Sequence, residues 1–317
     1  MKTIIYLALI LLLIPFAGCK NARKTEKEKN SGQGFPNEMV RFAPYKTNPV
    51  FSGSDTNTWD RKIRERGYIL LDEGIYKMWY TGYKGGDDDP KYVGYATSTD
   101  GIRWKRYPDN PVYSDIWTED MQVIKHKGVY YMFAEGKNDV AHWLTSMDGI
   151  HWKEKGPLDI RYADGQPLKP GPYGTPAVWI ENNKWYLFYE RNDEAIWLAA
   201  STDHKVWTNV QDDPVMKPGP GKYDTVAIAV NQIVKYKGKY YAFYHGTDFA
   251  DWLNNEGKST WSSNVAMSED LIHWVKYPGN PIIGDNHSSP ILVFDGKQYR
   301  LYTMHAAVWL YFPDKTR

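Results

Sequence analysis

Five copies of one alternating pattern occur along the chain, each with a turn residue followed by aromatic and aliphatic residues interleaved with polar ones. Successive copies are 54, 55, 55 and 58 residues apart, and they begin at Gly74, Gly128, Asn183, Gly238 and Gly296. A period of two is typical of a half-buried β-strand, and no stretch shows the 3.6-residue period of an amphipathic helix. The regular spacing indicates a repeat architecture in which each unit holds about four short strands.

A second motif follows the first four copies: a serine that ends a short strand, a turn that contains aspartate, and then a tryptophan. It occupies Ser98–Trp104, Ser146–Trp152, Ser201–Trp207 and Ser268–Trp274. Serine and aspartate favour tight turns because their side chains hydrogen-bond the nearby backbone. We interpret the four segments as hairpin turns, each followed by a tryptophan that packs into the core.

Five four-stranded units predict an all-β fold, a five-bladed β-propeller with its blades arranged around a central channel. The fifth unit ends at Trp309–Phe312, which would be its third strand. An Asn/Asp-Pro-Val/Ile motif occurs within later repeats, and a further copy at Asn48–Val50 precedes the first repeat. The fourth strand of the last blade is therefore expected from residues 41–51, so that the N-terminal strand closes the ring.

The N-terminus carries a targeting signal. Met1-Lys2 is followed by the apolar run Ile4–Phe16, which is too short to span a bilayer comfortably and is typical of a signal peptide. Ala17-Gly18-Cys19 resembles a bacterial lipobox, which would place a lipid on the thiol of Cys19. An ordinary signal peptide followed by a stray cysteine is the alternative.

These features divide the chain into three predicted parts. Residues 1–18 are a lipoprotein signal peptide, residues 19–35 a flexible tether and residues 36–317 a catalytic propeller domain. The protein is thus expected to work outside the cytoplasm of a bacterium, in the periplasm or attached to the outer membrane through its lipid anchor.

Charge and cysteine content exclude several kinds of site. Lys+Arg number 39 and Asp+Glu 38, so the formal net charge is +1 and no positive surplus favours nucleic acid as a partner. A single cysteine cannot form an internal disulfide, a thiolate zinc site or an iron–sulfur site. The chain has 14 Trp and 25 Tyr, and most of these are expected to fill the spaces between blades. The sequence does not indicate an oligomeric state.

Propeller geometry predicts which polar residues meet. Strands within a blade are antiparallel, so the start of the first strand and the end of the second lie on one face of the disc. Candidates near the starts are Asp60, Glu119, Asp120, Thr175, Asp224 and His287, and candidates near the ends are Glu135, Glu190, Arg191, His245 and His305. Aromatic residues that lie beside them and suit the apolar faces of sugars are Trp59, Trp117, Tyr173 and Tyr223. Insertions that could wall a pocket there span residues 83–90, 157–173 and 248–261.

Two pairs of carboxylates admit more than one role. Asp60 and Asp224 each lie 14 residues before the anchor of their repeat, and this match suits either catalysis or a solvated strand start. Glu119 and Asp120 could act on a substrate or hold their blade together. Glu65 could pair with its flanking arginines or enter the channel.

His287 has three possible roles: a catalytic acid, a ligand for a divalent cation such as calcium in the axial channel, or a structural histidine. No cofactor is required by any other motif in the chain. A catalytic role would need its imidazole to be protonated near neutrality, and carboxylates such as Asp224 could supply that effect.

The whole mature chain resembles the five-bladed propeller glycoside hydrolases, the group that includes families 43, 32, 68, 130 and 117. Within it, three segments look most like family 117: Trp59–Leu70, Glu119–Met121 and Gly171–Pro176. That family includes exo-acting enzymes that release terminal 3,6-anhydro-L-galactose, and galactofuranosidases. The resemblance implies an inverting hydrolase in which Asp60 is the base, Asp224 modulates a pKa and His287 is the acid.

The resulting hypothesis is an exo-acting, inverting glycoside hydrolase that releases an anhydro-L-galactose-, galactofuranose- or arabinofuranose-like sugar from oligosaccharides. A resemblance to family 43 would instead imply a glutamate acid, for which Glu135, Glu190 or Glu119 could serve. A non-catalytic carbohydrate-binding propeller is the second hypothesis. The third is a phosphate-dependent glycoside phosphorylase similar to family 130, which would need arginines such as Arg61, Arg64, Arg66 and Arg191.

Overall fold

The computed structural model describes residues 34–54, 57–169, 171–252, 254 and 258–314. These residues form five small sheets arranged as a five-bladed β-propeller with four strands in each blade, which confirms the predicted fold. A four-residue helix, α1 (Asn37–Val40), precedes the first strand, β1 (Phe42–Pro44).

The remaining strands follow the blades in chain order. In blade 1, the first strand is interrupted and consists of β2 (Lys62–Ile63) and β3 (Tyr68–Asp72), which both pair with β4 (Ile75–Tyr83). The blade continues with β5 (Tyr92–Ser98) and β6 (Lys105–Arg106). Blade 2 contains β7 (Glu119–His126), β8 (Val129–Gly136), β9 (Val140–Ser146) and β10 (Lys153–Pro157). Blade 3 contains β12 (Ala177–Glu181), β13 (Lys184–Glu190), β14 (Ile196–Ser201) and β15 (Val206–Asn209), with β11 (Asp159–Arg161) added parallel to β15. Blade 4 contains β16 (Ala227–Tyr236), β17 (Lys239–Thr247), β18 (Trp261–Ser268) and β19 (Trp274–Lys276), and blade 5 contains β20 (Pro290–Phe294), β21 (Tyr299–Met304) and β22 (Val308–Pro313).

The N-terminal strand closes the ring as predicted. β1 pairs antiparallel with β22 and supplies the fourth strand of blade 5, with Phe42 opposite Pro313. The side chain of Asn48 extends this contact, since its amide donates to the carbonyl of Leu310 at 2.8 Å and its oxygen accepts from the Leu310 amide at 2.9 Å. The first and last parts of the described chain are thereby joined in one sheet.

The Ser-x-Asp motifs form hairpin turns that hold neighbouring blades together. In one of them, the Asp148 carboxylate accepts the backbone amides of Ile150 and His151 at 2.8 Å. The carbonyl of Gly149 in this turn accepts the indole N–H of Trp79 from blade 1 at 2.7 Å. The backbone of Gly149 has a φ of +79°, and a Cβ there would lie 2.9 Å from the Trp79 ring. Aromatic residues of the repeat therefore stabilise contacts between blades.

Arg66 occupies the centre of the ring. It is completely buried, and its guanidinium donates to the carbonyls of Asp120 at 2.6 Å and Pro176 at 2.7 Å. Asp120 lies at the start of the first strand of blade 2 and Pro176 directly before that of blade 3, so one side chain of blade 1 connects three blades. Two glutamines make similar bridges farther along the axis, Gln122 to the backbone of Val178 and Gln232 to that of Leu292.

The predicted signal peptide and nearly all of the predicted tether, including Cys19, lie outside the described residues. Phe35, placed at the end of that tether by the sequence, is buried against Tyr241 and Tyr277 of blade 4. Within the described ranges, no helix has the length and apolar character needed to cross a membrane.

Candidate active site

An acidic cavity of about 290 Å³ lies where the second strands of blades 2 and 4 end. Five carboxyl groups line it, together with Arg64, Thr175, Asn192, His245, Trp252 and Trp261. The five acids are Glu65, Asp120, Glu135, Asp139 and Asp193. The structure thus brings together four residues that the sequence placed on one face: Asp120, Glu135, Thr175 and His245. We call this space the inner cavity.

A second cavity of about 550 Å³ adjoins the inner one, and we call it the outer cavity. The two share Arg64, Glu65, Trp252 and Trp261, so these residues lie at the boundary between them. Its other lining residues are Lys62, Ile63, Tyr83, Gly85, Asp87, Asn254, Asn286, His305 and Ala306. The insertions at 83–90 and 248–261 therefore wall the site as predicted, whereas residues 159–161 of the third insertion add a strand to blade 3.

A β-bulge places Asp120 in the inner cavity. Glu119 pairs with Glu135 and Gln122 pairs with Phe133, so the register shifts between these two pairs and leaves an extra residue in β7. Asp120 has a left-handed φ of +48°, a sparsely populated conformation for a residue with a side chain. Its Oδ1 atom is buried and accepts no hydrogen bond from the described residues. Strain and an unpartnered carboxyl oxygen at one position are typical of a functional residue.

Sequence reasoning missed three polar residues of the inner cavity, Asp139, Asn192 and Asp193. They lie in two tight turns, at Asn138-Asp139 and Asn192-Asp193, and all four turn residues have positive φ. A signal was available, because each Asn-Asp pair closely follows a glutamate, Glu135 or Glu190, that stands at or near the end of a second strand.

Burial and mutual proximity raise the pKa values of several of these carboxyl groups. Burial raises the pKa of Asp120 well above its ordinary value, and the negative charges of Glu65 and Glu119 raise it further. The pKa of Glu135 rises for the same reasons, with Asp120 as the strongest neighbour. Asp193 is raised as well, through burial and the charge of Glu190, so its pKa also lies well above the usual range. A carboxyl group of this kind can donate a proton near neutral pH.

Glu65 has the opposite character. Burial opposes its ionisation, but the imidazole of His305 at 2.9 Å and the guanidinium of Arg64 at 3.8 Å outweigh this effect and lower the pKa of Glu65. It is therefore an ionised carboxylate at neutral pH. Burial lowers the pKa of His245 to about 4, so this imidazole is neutral, and its Nδ1 lies 3.2 Å from Oδ1 of Asn231.

Asp60 and Asp224 lie inside their blades. Asp60 is buried, and its carboxylate accepts from the Tyr80 hydroxyl at 2.9 Å and from the Arg106 guanidinium at 3.0 Å. Asp224 repeats this arrangement with the Tyr244 hydroxyl at 3.0 Å and with Lys276. Among the described residues that line the two cavities, neither aspartate is present.

The pKa values of the two buried aspartates differ. Burial alone would raise the pKa of Asp60, yet hydrogen bonds from Ser54, Tyr80 and Arg106 hold it below its ordinary value. Burial raises the pKa of Asp224 despite its contact with Lys276. The two aspartates occupy equivalent positions in blades 1 and 4, which explains their equal spacing from the repeat anchors. Their catalytic roles stay predictions, because neither residue lines the two cavities.

His287 packs against Trp309 with ring centroids 4.2 Å apart. Burial lowers the pKa of His287, and Asp285 is the carboxylate that opposes this shift. The expectation that Asp224 keeps this imidazole protonated is therefore wrong. Among the described residues, no three histidine, cysteine or acidic side chains are arranged to hold a metal ion, and the cation predicted near His287 stays a prediction.

The predicted sugar-binding aromatic residues have other contacts. Trp59 stacks on Tyr80, Tyr173 is in the core of blade 3, and Tyr223 lies beside Asp224. Trp117 donates its indole N–H to Glu119 at 2.5 Å. The aromatic rings that line both cavities are Trp252 and Trp261, 5.3 Å apart, and the sequence did not single them out.

Three further candidates surround the cavity. Glu119 is buried and ion-paired with Arg64 at 2.7 Å. Glu190 is buried and accepts the backbone amides of Gly174 and Asp193. The guanidinium carbon of Arg191 lies 4.4 Å from the centroid of the Trp197 ring, and Nη2 donates to the Tyr189 hydroxyl. Both contacts are within blade 3. These residues support the cavity wall.

Comparison with known proteins finds relatives in sequence and in fold. No protein-family model matches the chain. A 1,2-beta-oligomannan phosphorylase from Thermoanaerobacter sp. (strain X514) is 27% identical over 229 residues, which cover 66% of this chain and 73% of that protein. Two uncharacterised proteins of Mycobacterium tuberculosis are 32% identical over 139 residues, 38% of this chain and 44% of theirs.

Solved structures match over most of the chain. A glycosyl hydrolase from Bacteroides ovatus has a TM-score of 0.70 at 19% identity and covers 89% of this chain and 96% of its own. The β-1,2-mannobiose phosphorylase of Listeria innocua has a TM-score of 0.66 at 13% identity, with 86% and 95% covered. A structure from glycoside hydrolase family 130, which contains both mannoside phosphorylases and hydrolases of β-1,2-mannosidic linkages in Candida mannan, has a TM-score of 0.68 at 18% identity, with 88% and 95% covered. The chain shares their fold.

The raised pKa of Glu190 predicts a pH dependence of stability. Burial raises this pKa from 4.5 to about 7, so the folded protein holds a proton here that the unfolded chain releases above its own pKa. The contribution of Glu190 to stability is therefore fully present below pH 4.5 and is lost as the pH rises through about 7. We expect the free energy of unfolding of wild type to fall more than that of Glu190→Gln between about pH 5 and about pH 8, measured by urea denaturation. Glu194→Gln, an exposed glutamate of the same turn, should follow wild type, and parallel curves for wild type and Glu190→Gln would contradict the assignment.

Proposed function

We propose that the protein is an inverting glycoside hydrolase that uses Asp120 as general acid and Glu65 as general base. The observation that carries this proposal is that Asp120 and Glu65 line the same cavity, where their surroundings raise the pKa of Asp120 and lower that of Glu65. Asp120 gives its proton to the glycosidic oxygen as the bond to the anomeric carbon breaks. Glu65 takes a proton from the water that attacks this carbon from the opposite side.

The surrounding residues assist these two steps. The left-handed backbone places the Asp120 carboxyl group at the inner cavity, and its buried Oδ1 accepts no hydrogen bond from the described residues. His305 and Arg64 hold Glu65 in its ionised form and fix its position between the cavities. The neutral imidazole of His245 and the Trp261 ring in contact with it offer a hydrogen-bonding group and an apolar surface, which suits a sugar ring.

Cavity sizes support release of a sugar from a chain end. The inner cavity, about 290 Å³, is the smaller and suits a terminal sugar, whereas the outer cavity, about 550 Å³, suits the remainder of the oligosaccharide. Glu65 and Trp252 line both cavities, so a substrate that reaches from one cavity into the other would pass beside them. The anhydro-L-galactose-, galactofuranose- and arabinofuranose-like sugars implied by the family-117 resemblance remain candidates, and β-1,2-linked mannosides join them because of the relatives.

Charge favours water over phosphate as the acceptor. The inner cavity contains the ionised carboxylate of Glu65, and Arg64 is already ion-paired with Glu119. A phosphate dianion would be repelled by the Glu65 carboxylate. Phosphorolysis is the second candidate function, favoured by the named activity of the Thermoanaerobacter relative and by Lys62 and Arg64 in the outer cavity.

Product analysis tests the proposal. Purified protein is incubated with β-1,2-mannobiose and with arabinofuranosyl, galactofuranosyl and anhydro-L-galactosyl oligosaccharides, with and without inorganic phosphate, and products are separated by chromatography. We expect free sugar in both conditions and no dependence on phosphate. Sugar 1-phosphate formed only with phosphate would establish the phosphorylase. Ligand binding without any product would establish a carbohydrate-binding protein.

We also propose that the folded domain is held at a bacterial membrane, outside the cytoplasm, by lipid on Cys19. The support is the apolar run and the lipobox-like segment before this residue. A Cys19→Ala variant should move from the membrane to the soluble fraction on cell fractionation, and membrane retention of the variant would contradict the proposal.

A further inference from the structure

Three aromatic side chains form a patch on the face opposite the carboxyl cluster, and we call it the aromatic patch. Phe294 ends β20 and Tyr299 begins β21, so both lie at the turn that joins the first and second strands of blade 5. Tyr236 ends β16 at the equivalent turn of blade 4. Glu135, His245 and His305 lie at or beyond the other ends of the second strands, so the two groups are on opposite faces of the disc.

The rings of the aromatic patch contact one another. The centroids of Phe294 and Tyr299 are 5.1 Å apart, and those of Tyr236 and Tyr299 are 5.8 Å apart. Phe294 is 52% exposed, although a side chain of this size normally gains much by burial. Phe294 is therefore an exposed ring beside two half-buried tyrosines, and a contiguous aromatic surface is typical of a binding site.

Two cavities meet at this patch. A groove of about 970 Å³ lies beside α1 and is lined by Asn37, Glu38 and Gln298 among others. A well of about 720 Å³ leads along the axis and contains Gln122 and Gln232. Phe294 and Tyr299 line both spaces, so the groove and the well form one continuous surface with the aromatic rings in its middle.

Charged side chains of this surface are largely paired with neighbours. Arg300 binds Asp295 at 2.8 Å, and Lys235 binds Glu181 at 2.5 Å. The Tyr236 hydroxyl lies 3.4 Å from the carboxylate of Glu38. Paired charges offer little attraction to an anionic lipid or a nucleic acid, whereas amides beside aromatic faces match a ligand with hydroxyl groups and apolar C–H faces.

We propose that the aromatic patch and its two cavities form a second binding site for a neutral polysaccharide. The choice of ligand class rests on the proposed function. Because this site lies on the opposite face, it can hold a polymer while the inner cavity remains open to chain ends. Its role is attachment to the substrate, and Phe294 takes no part in the chemical step.

Electrophoresis of native protein through gels that contain mannan, arabinan or galactan tests this site. We expect wild type to be retarded in at least one of these gels, and Phe294→Ala to bind that polymer roughly three- to tenfold more weakly because one aromatic contact is lost. Met147→Ala is the matched control, since Met147 is 75% exposed but lines neither the groove nor the well. It should be retarded like wild type.

A second measurement separates this proposal from the hydrolase proposal. The kcat/KM of Phe294→Ala on a short oligosaccharide should equal that of wild type, because such a substrate uses the carboxylate face alone. Equal retardation of Phe294→Ala and wild type, or no retardation of wild type in any of the three gels, overturns the second site. Retardation without hydrolysis of any oligosaccharide would overturn the hydrolase and leave the second site supported.

Discussion

Asp120→Asn is expected to lower kcat by about 10²–10⁴-fold, the usual contribution of a positioned general acid. The amide has nearly the shape of the carboxylic acid but cannot supply a proton to the leaving oxygen. The raised pKa of Asp120 provides that proton in wild type, since burial and neighbouring carboxylates oppose its ionisation. The measurement is kcat on an oligosaccharide that gives free sugar in the product analysis. The thermal midpoint of unfolding shows whether the variant is folded.

The leaving group offers an internal check of this assignment. A nitrophenyl glycoside departs as a stable phenolate and needs little protonation, so Asp120→Asn should lose far less activity on it than on an oligosaccharide. An equal loss on both substrates would mean that the substitution acts on binding or folding. Glu65→Gln should lose activity on both, because both need an activated water.

Asp60→Asn is the matched control for Asp120→Asn. It makes the same chemical change in a buried aspartate whose carboxylate is held by Tyr80 and Arg106 inside blade 1. We expect it to reduce stability while leaving kcat close to wild type. A folded Asp60→Asn with kcat as low as that of Asp120→Asn would restore the role implied by the family-117 resemblance and contradict the assignment to Asp120.

Arg66→Met should lower the free energy of unfolding by about 3–5 kcal/mol, the usual effect of removing one partner from a buried charged network. The guanidinium is 0% exposed and donates to two carbonyls of other blades. Methionine fills a similar length without a donor, so both carbonyls lose a hydrogen bond and the carboxyl groups nearby lose a compensating charge. Urea denaturation followed by tryptophan fluorescence measures the change.

Arg103→Met is the control for this substitution. Its side chain is 89% exposed, and its ion pair with Asp100 at 2.9 Å lies at the surface. Such pairs contribute about 0–1 kcal/mol, so the variant should be close to wild type. If Arg66→Met proved as stable as Arg103→Met, the central arginine would have no special part in joining the blades.

The spacing of the repeats was enough to predict the fold and the closure of the ring. Copies of one pattern at 54 to 58 residues leave few architectures, and a fifth unit that lacks a strand requires the strand from elsewhere. Strand direction also placed Asp120, Glu135 and His245 on one face. These inferences depend only on periodicity and antiparallel pairing, which the sequence displays directly.

The same regularity did not distinguish a catalytic role from a structural role for Asp60 and Asp224. Residues at matched positions of two repeats are expected to make the same contacts in each. Here both aspartates accept a hydrogen bond from a tyrosine inside the blade, Asp60 from Tyr80 and Asp224 from Tyr244. The acid that we propose instead depends on a bulge in β7, a local departure from the repeat. Neither the bulge nor the unpartnered oxygen of Asp120 could be inferred from spacing.

Residues in the insertions were also difficult to assign from the sequence, because they lie outside the repeat. Trp252 lies in the 248–261 insertion and Trp261 at its end, so repeat periodicity did not mark either residue as part of the site. The pairing of Glu65 with His305 joins residues from blades 1 and 5 that are far apart in the chain. Only the closed ring brings them to one cavity.

The pairing of β1 with β22 has a consequence for the order of folding. Phe42 is among the first residues of the domain to be synthesised, whereas its partner Pro313 is among the last. Blade 5 therefore stays incomplete on the ribosome until almost the whole domain has emerged, and this contact between residues far apart in the chain must form late. Because Glu65 and His305 belong to blades 1 and 5, the ion pair of the proposed base also forms only after blade 5 has emerged.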